Sequence, residues 1–261
     1  MTRDSIRSYA TFLLKAPLMY QNWWDMLMSG YSTLPGVVLK LRNGLEFTIR
    51  PHTTDRTTLN EMLMFRPYET DPRFRVSAGD VVVDIGAHIG SFAILAAAQA
   101  TKGAVYAVEP VPGNFEVLCE NVRSNHACNV VPICAAMGPS SGTGRIYGDG
   151  AAANLFATRG GSGKEVRLIT LSQLMEEHDL RRIDLLKMDC EGAEHEILAN
   201  AAAPVLRRIS RIVLECHNMD GRKNIDTLQG GLREKGFAVY ASPADARGHS
   251  LLFALNGMAV A

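Results

Sequence analysis

The stretch Val81–Gly90, reading Val-Val-Val-Asp-Ile-Gly-Ala-His-Ile-Gly, constrains the fold more than any other part of this chain. A β-branched run ends in an acid, passes a glycine turn and opens an alanine-rich helix expected over Ser91–Ala100. One helix length further on, the apolar run Val105–Val108 ends in Glu109-Pro110. Strand, helix and strand in that order make a βαβ unit, whose ligand-binding groups collect at the carboxyl ends of the strands. The acid closing the second strand is placed to accept hydrogen bonds from ribose hydroxyls. The expected ligand therefore contains adenosine.

The glycines discriminate between adenosine cofactors. A pyrophosphate needs Gly-x-Gly-x-x-Gly, so that it can lie against bare backbone at the helix start. Here Gly86 and Gly90 are separated by three residues, His88 takes the middle glycine position and Ser91 the third. A phosphate pair would meet the His88 side chain. Asp84 adds a negative charge that repels phosphate and suits a ligand ammonium. S-adenosylmethionine has an ammonium and no phosphate, and fits this pattern better than a nicotinamide dinucleotide. The plainer reading of Asp84 is a helix cap.

Composition narrows the class further. With 261 residues, 47% of them hydrophobic, the chain can bury one substantial core and an appendage. Its formal net charge of zero gives no bulk footprint for nucleic acid. The five cysteines form no Cys-x-x-Cys pair and no zinc spacing, which reads as reduced, packed thiols in a cytoplasmic protein. No stretch reaches membrane-spanning length, and no signal-peptide core is evident before Lys15 and Pro17, so no membrane partner is expected.

Ile6, Tyr9, Ala10, Leu13 and Leu14 recur at helical spacing, a pattern Pro17 is expected to end. Tyr20, Trp23, Trp24, Leu27 and Met28 repeat the spacing on a second short helix. The plain expectation is an amphipathic helix packed on the core; the sharper one is a lid or a homodimer contact. Val37, Leu39 and Leu41 then alternate with polar residues, and Asn43-Gly44 predicts a type I′ hairpin turn before Leu45, Phe47 and Ile49. Thr58-x-x-Glu61 predicts a capping box opening a helix toward Tyr68. The core domain is placed over 76–261, after Pro67 and Pro72, and residues 1–75 form an extension of helices and hairpin acting as cap or dimer element.

Within that domain strands are expected at Val81–Asp84, Val105–Glu109, Val130–Ile133, Ile183–Met188 and Ile212–Cys216, with a closing antiparallel pair at Phe237–Ala241 and Leu251–Asn256. Alternation with helices predicts a doubly wound, mainly parallel seven-stranded α/β sheet. Gly138–Lys164 breaks the alternation and reads either as solvated linker or as a substrate-facing excursion at the carboxyl edge.

A second dense motif, Leu185-Leu186-Lys187-Met188-Asp189-Cys190-Glu191-Gly192-Ala193-Glu194, ends another strand in an acid at the same edge. The next strand runs out through Glu215-Cys216-His217, whose first two residues must point to opposite faces. Methyl transfer to a hydroxyl needs alignment and a proton acceptor. His217 is the expected base, with Asp189 and Glu191 orienting it or the acceptor; a strand-end histidine bonded to a loop is the plainer alternative. Glu194 reads as a first-turn acid serving the helix. A divalent metal on Asp189, Glu191 and His217 is the rival mechanism and the less favoured one, so no metal ligands are assigned.

These motifs, taken in order over roughly residues 76–220, resemble the FkbM-type S-adenosylmethionine-dependent methyltransferases. Lys187–Glu194 is the most specific element, while the first glycine motif is shared with class I methyltransferases generally. The resemblance implies a class I methyltransferase (Rossmann-like) fold and O-methylation of a sugar, polyketide or other natural product. By motif, Asp84, Gly86, Gly90 and Glu109, with His88 and Pro110 beside them, look like donor-site residues. Asp189, Glu191 and His217 look like the acceptor side, Asp189 also bordering the donor. His88 stands where the family often has asparagine, and Ser172 where an aspartate is common. The implied partner is a small-molecule hydroxyl acceptor. A nicotinamide-dependent oxidoreductase and a non-catalytic binding protein on the same fold are the alternatives.

Overall fold

The computed structural model describes residues 14–147, 163–216, 224–243 and 250–257. Its centre is a seven-stranded sheet built from β3 (Val81–Ile85), β4 (Ala104–Val108), β5 (Val130–Ile133), β9 (Leu185–Met188), β10 (Arg211–Cys216), β11 (Phe237–Ala241) and β12 (Ser250–Asn256). The spatial order is β11-β12-β10-β9-β3-β4-β5. All pairings from β10 across to β5 are parallel, and β12 runs antiparallel to both β10 and β11. The β-branched and leucine-rich runs make strands buried on both faces, as a sheet covered by helices requires.

Two apolar layers sandwich the sheet. On one face Phe92, Ala93, Ala96 and Ala97 of α3 (Ser91–Gln99) and Leu118 of α4 (Pro112–Ser124) meet Val82, Val105 and Val213. On the other, Leu174 of α5 (Leu171–Glu177), Ile197 of α6 (Glu194–Asn200), Leu206 of α7 (Ala203–Leu206) and Leu228 of α8 (Ile225–Glu234) meet Val83, Leu186 and Ile212. The sheet order changes direction between β3 and β9: β4 and β5 lie to one side, and β9 and β10 to the other. That is the switch point at which open α/β sheets bind ligands.

The amino-terminal segment departs from expectation in three places. Backbone over 14–19 is helical and includes Pro17, and α1 (Trp23–Met28) follows. The hairpin of β1 (Val37–Lys40) and β2 (Glu46–Ile49) has the expected register, Leu39 opposite Phe47, but not the expected turn. Gly44 lies at φ 92° and Asn43 is not in the positive-φ region, while Gly44 N–H donates to Leu41 O and Leu41 N–H to Leu45 O. This is a three-residue loop closed by a left-handed glycine, which needs positive φ at one residue only. The helix α2 spans Asp55–Met64, so Thr58 sits inside it and caps nothing.

The hairpin docks on α4 through side chains that replace a missing strand. Asn121 accepts from Thr48 N–H at 2.7 Å and donates to Thr48 O at 3.2 Å, while Asn125 makes the same pair of bonds with Glu46. The edge of β2 is thereby satisfied without another strand. A smaller sheet, ordered β6-β8-β7 from β6 (Ala136–Met137), β7 (Gly142–Ile146) and β8 (Lys164–Ile169), carries the excursion out and back. Within Gly138–Lys164, residues 148–162 lie outside the described residues, as do Ile6, Tyr9, Ala10 and Leu13. All five cysteines are free thiols; Cys216 is buried, but Cys128 and Cys134 are exposed, so packing describes only part of the set. Among the described residues no helix is long and apolar enough to cross a membrane.

Candidate active site

A cleft of about 1190 Å³, counting its part open to solvent, lies over the carboxyl ends of β3, β4, β9 and β10. Its walls combine the Gly86–His88 turn, Glu109-Pro110, Asp189–Glu191 and Glu215. The excursion contributes Ile146, and the amino-terminal segment contributes Glu61, Met62 and Tyr68. Among the described residues, five that bear carboxylates, Glu61, Glu109, Asp189, Glu191 and Glu215, thus border the space, against a single lysine, Lys187.

The first turn is held by backbone that only glycine permits. Gly86 sits at φ +77°, and a Cβ built on it would fall 1.8 Å from Asp189 O. Gly90, at φ +85°, precedes α3, and its Cβ would meet Leu118 Cδ1 at 2.5 Å. His88 also lies in the left-handed region, φ 53°. The middle position therefore does ask for a glycine-like conformation, which a histidine meets under strain. Its ring turns toward α2, with Nε2 3.3 Å from Asp55 Oδ1.

Glu109 is nearly wholly buried and accepts three hydrogen bonds: from His88 N–H at 2.8 Å, Val111 N–H at 2.9 Å and Asn114 Nδ2 at 3.1 Å. Burial pushes its carboxyl upward, and those three donors work against the push. Of roughly four acceptor positions on a carboxylate, about one is left for a ligand hydroxyl. Pro110 follows it on the cleft wall.

Asp84 stands differently from its expected role. It is fully buried, does not border the cleft, and its Oδ1 lies 2.8 Å from Lys187 Nζ. Its charge is answered by the protein, so it is not presented to a ligand ammonium. Lys187 also donates to Gly86 O at 3.0 Å, and its ammonium lies 5.3 Å from the Tyr68 ring and 5.9 Å from the Phe92 ring. Burial opposes the charge on Lys187, but Asp84 and Asp189 outweigh it and hold the ammonium above its usual pKa.

Asp189, half-buried at the end of β9, donates its N–H to Ile85 O at 3.0 Å and accepts from the Tyr68 hydroxyl at 3.1 Å. Burial first, then the charges of Asp189, Glu215 and Asp84, push the Tyr68 phenol well up, so it is a donor and not a base. Glu191 adopts φ 52° beside Gly192 at φ 97°, a turn that directs the chain into α6. Glu194 is buried and accepts from Cys190 N–H at 2.8 Å, the structural role expected of it. Glu215 borders the cleft while Cys216 is buried on the other face.

The structure therefore brings Gly86, His88, Glu109, Pro110, Asp189 and Glu191 to one cleft, with Gly90 supporting the turn behind it. His217 lies outside the described residues. Among the described residues no group of three or more His, Cys, Asp and Glu is arranged to hold a metal ion. No sequence pattern marks Tyr68, Arg50, Asp55 or Asn114 as site residues, and the motif that contains Lys187 does not by itself say what the lysine bonds. Only Lys187 carries a local signal, a charge in the middle of an apolar strand, which must find a partner.

Strand order, switch-point cleft and the acids at the strand ends define a class I methyltransferase. The chain belongs to the family described as the methyltransferase FkbM domain, whose match spans residues 84–239. It is 28% identical over 229 residues to the 31-O-demethyl-FK506 methyltransferase FkbM of Streptomyces tacrolimicus, covering 75% of this chain and 83% of that one. It is 30% identical over 152 residues to the hexuronic acid methyltransferase AglP of Haloferax volcanii, covering 57% and 61%. Among solved structures, the methyltransferase FkbM from Methylobacillus flagellatus KT superposes with a TM-score of 0.51 at 18% identity, over 74% of this chain and 47% of that one, a likeness of fold.

Proposed function

We propose that this protein is an S-adenosylmethionine-dependent O-methyltransferase acting on a hydroxyl of a small molecule, such as a sugar, polyketide or other natural product. The observation that carries this reading is the acid-lined cleft at the switch point. Its carboxylates repel phosphate and favour a ligand bearing an ammonium and a sulfonium. Two relatives are named as methyltransferases of 31-O-demethyl-FK506 and of a hexuronic acid, which supports the acceptor class.

Glu109 would hold the ribose, and apolar Val111, Ala135 and Met137 would face the base. Asp189 or Glu191 would receive the donor's ammonium, a task that Asp84 is not placed to do. When bound, the donor supplies an electrophilic methyl group whose bond to sulfur breaks as the bond to the acceptor oxygen forms. The protein aligns the acceptor and removes its proton. His217, the residue after β10, is the proposed base, with Asp189 and Glu191 orienting it or the acceptor. Residues 1–75 act as a cap, a reading supported by Glu61, Met62 and Tyr68 on the cleft wall.

The experiment is calorimetric titration with S-adenosylhomocysteine, followed by transfer of labelled methyl from S-adenosylmethionine to a panel of hydroxylated acceptors. Micromolar binding and label in an ether are expected. A protein that ignores both donor and product removes the reading.

A further inference from the structure

A chain of hydrogen bonds from Arg50 through Asn114 to Glu109, with His88 alongside it, ties the amino-terminal segment to the donor side of the cleft. Arg50, just after β2, forks onto Asp55 with Nε to Oδ2 at 2.9 Å and NH2 to Oδ1 at 2.8 Å. The same NH2 donates to Asn114 Oδ1 at 2.7 Å. Asn114 Nδ2 in turn donates to Glu109 Oε1 at 3.1 Å. Glu109 Oε2 accepts from the backbone N–H of His88, and the His88 ring returns to Asp55 at 3.3 Å. Asp55, Asn114, Glu109 and His88 are all buried.

Each link has a physical task. Asn114 is an amide, so Arg50 fixes its orientation: with Oδ1 held by a guanidinium, only Nδ2 can face Glu109. Glu109 Oε1 thereby holds two donors, Asn114 Nδ2 and Val111 N–H, while Oε2 holds only His88 N–H, so the acceptor position left over on this cleft-lining residue is on Oε2. His88 holds a left-handed backbone that costs a non-glycine residue energy, and Asp55 stands at its ring. Burial opposes the charge of Asp55, but Arg50 and His88 outweigh it and keep it ionised.

We infer that Arg50 and Asn114 are positioning residues for the donor: anchored by Asp55, they fix the direction in which Glu109 offers its carboxylate to ribose. The inference rests on reading the cleft as a methyl-donor site. It makes a segment outside the matched family region, which starts at residue 84, part of the donor machinery.

The test compares binding of S-adenosylhomocysteine with its 2′-deoxy and 3′-deoxy analogues by calorimetry, in wild type, Arg50→Lys and Asn114→Ala. Lysine keeps the charge but cannot fork onto two oxygens. Asn114→Ala leaves the Arg50–Asp55 pair in place and carries the test should Arg50→Lys fail to fold. Wild type is expected to prefer the intact ribose over at least one deoxy analogue by about tenfold or more, the scale of a hydrogen bond to a charged group. In the variants that preference should fall below about threefold, with the deoxy analogues bound nearly as in wild type. A purely structural role would instead weaken all three ligands together. A folded variant that keeps the full preference overturns the inference, as does a wild type that binds product without preference. A wild type that binds no product fails the functional proposal itself, and the inference with it.

Discussion

Asp84 Oδ1 and Lys187 Nζ lie 2.8 Å apart on adjacent parallel strands, in register, with side chains 0% and 4% exposed. The glycine-turn motif and the Lys187–Glu194 motif are thus joined by a buried ion pair whose lysine also borders the cleft. Lys187 extends the pair by bonding Gly86 O, the turn on which the ligand would rest. The charge that the first motif offers is consumed in holding the second.

Removing one partner of such a pair leaves the other charge buried. Lys187→Met is therefore expected to destabilise the protein by about 3–5 kcal/mol, as broken buried pairs do. Asp84→Asn combined with Lys187→Met removes both charges and should recover a large part of that loss. Urea unfolding of the three proteins checks this. A double variant no more stable than Lys187→Met would show that the charge of Asp84 needs no partner.

The two glycines of the first turn should differ in tolerance. Gly86→Ala sets a methyl 1.8 Å from the carbonyl oxygen of Asp189, where backbone of a neighbouring strand end must move. Gly90→Ala meets only the tip of Leu118, a flexible side chain, although both carry a positive φ. Gly86→Ala is expected to lower the melting temperature more and to abolish S-adenosylhomocysteine binding, while Gly90→Ala retains weakened binding. Thermal melts with and without product give both readouts, and equal losses would contradict the backbone clash.

Tyr68 reaches Asp189 from the amino-terminal segment, and its raised pKa keeps it a donor across working pH. In the proposed reaction Tyr68→Phe removes one hydrogen bond from Asp189 and leaves the ring packing on Phe92 intact. Stability should fall by about 1.5–3 kcal/mol, the range for a hydrogen bond to a charged group. The rate of methyl transfer should fall by roughly ten- to a hundredfold, the cost of a misaimed group in a site that works by alignment. Affinity for S-adenosylhomocysteine should stay within about threefold where Glu191 receives the donor's ammonium, and fall by more than that where Asp189 does, since Tyr68 bonds Asp189 and not the ribose acid. Steady-state kinetics beside product titration separates the two effects, and an unchanged turnover would leave Tyr68 a packing residue.

The parts of this protein visible in its sequence are those where one physical demand writes a local pattern. Val81–Asp84 and Leu185–Asp189 are apolar because both faces of the sheet are covered; Asp189 ends its run at a polar cleft, while Asp84 ends its run against the buried Lys187. The hairpin register follows from alternation, whereas its turn type does not, because Asn-Gly serves both a two-residue and a three-residue loop. An acid at a strand end looks the same in sequence whether it faces a ligand or, like Asp84, a lysine. Arg50, Asp55 and Tyr68 left no trace, since their partners Asn114, His88 and Asp189 are distant in the chain and meet them only through the fold.

Asp55 gives a pH prediction whose sign follows from its partners. Its folded-state carboxyl is held well below the usual carboxylate range, against burial, by Arg50 and His88. A depressed folded pKa stabilises the native state fully above the unfolded value of about 4, and that contribution is lost as pH falls through the folded value. Asp55→Asn should therefore cost about 3 kcal/mol at neutral pH, the lower end for breaking a buried pair. The gap between variant and wild type should stay constant from pH 7 down to about 5 and narrow progressively below about 4. Melting temperatures of both proteins across that range provide the check. A gap that widens on acidification would mean that Asp55 gains its stability from being protonated, and the Arg50 fork would then have no ionic partner to hold.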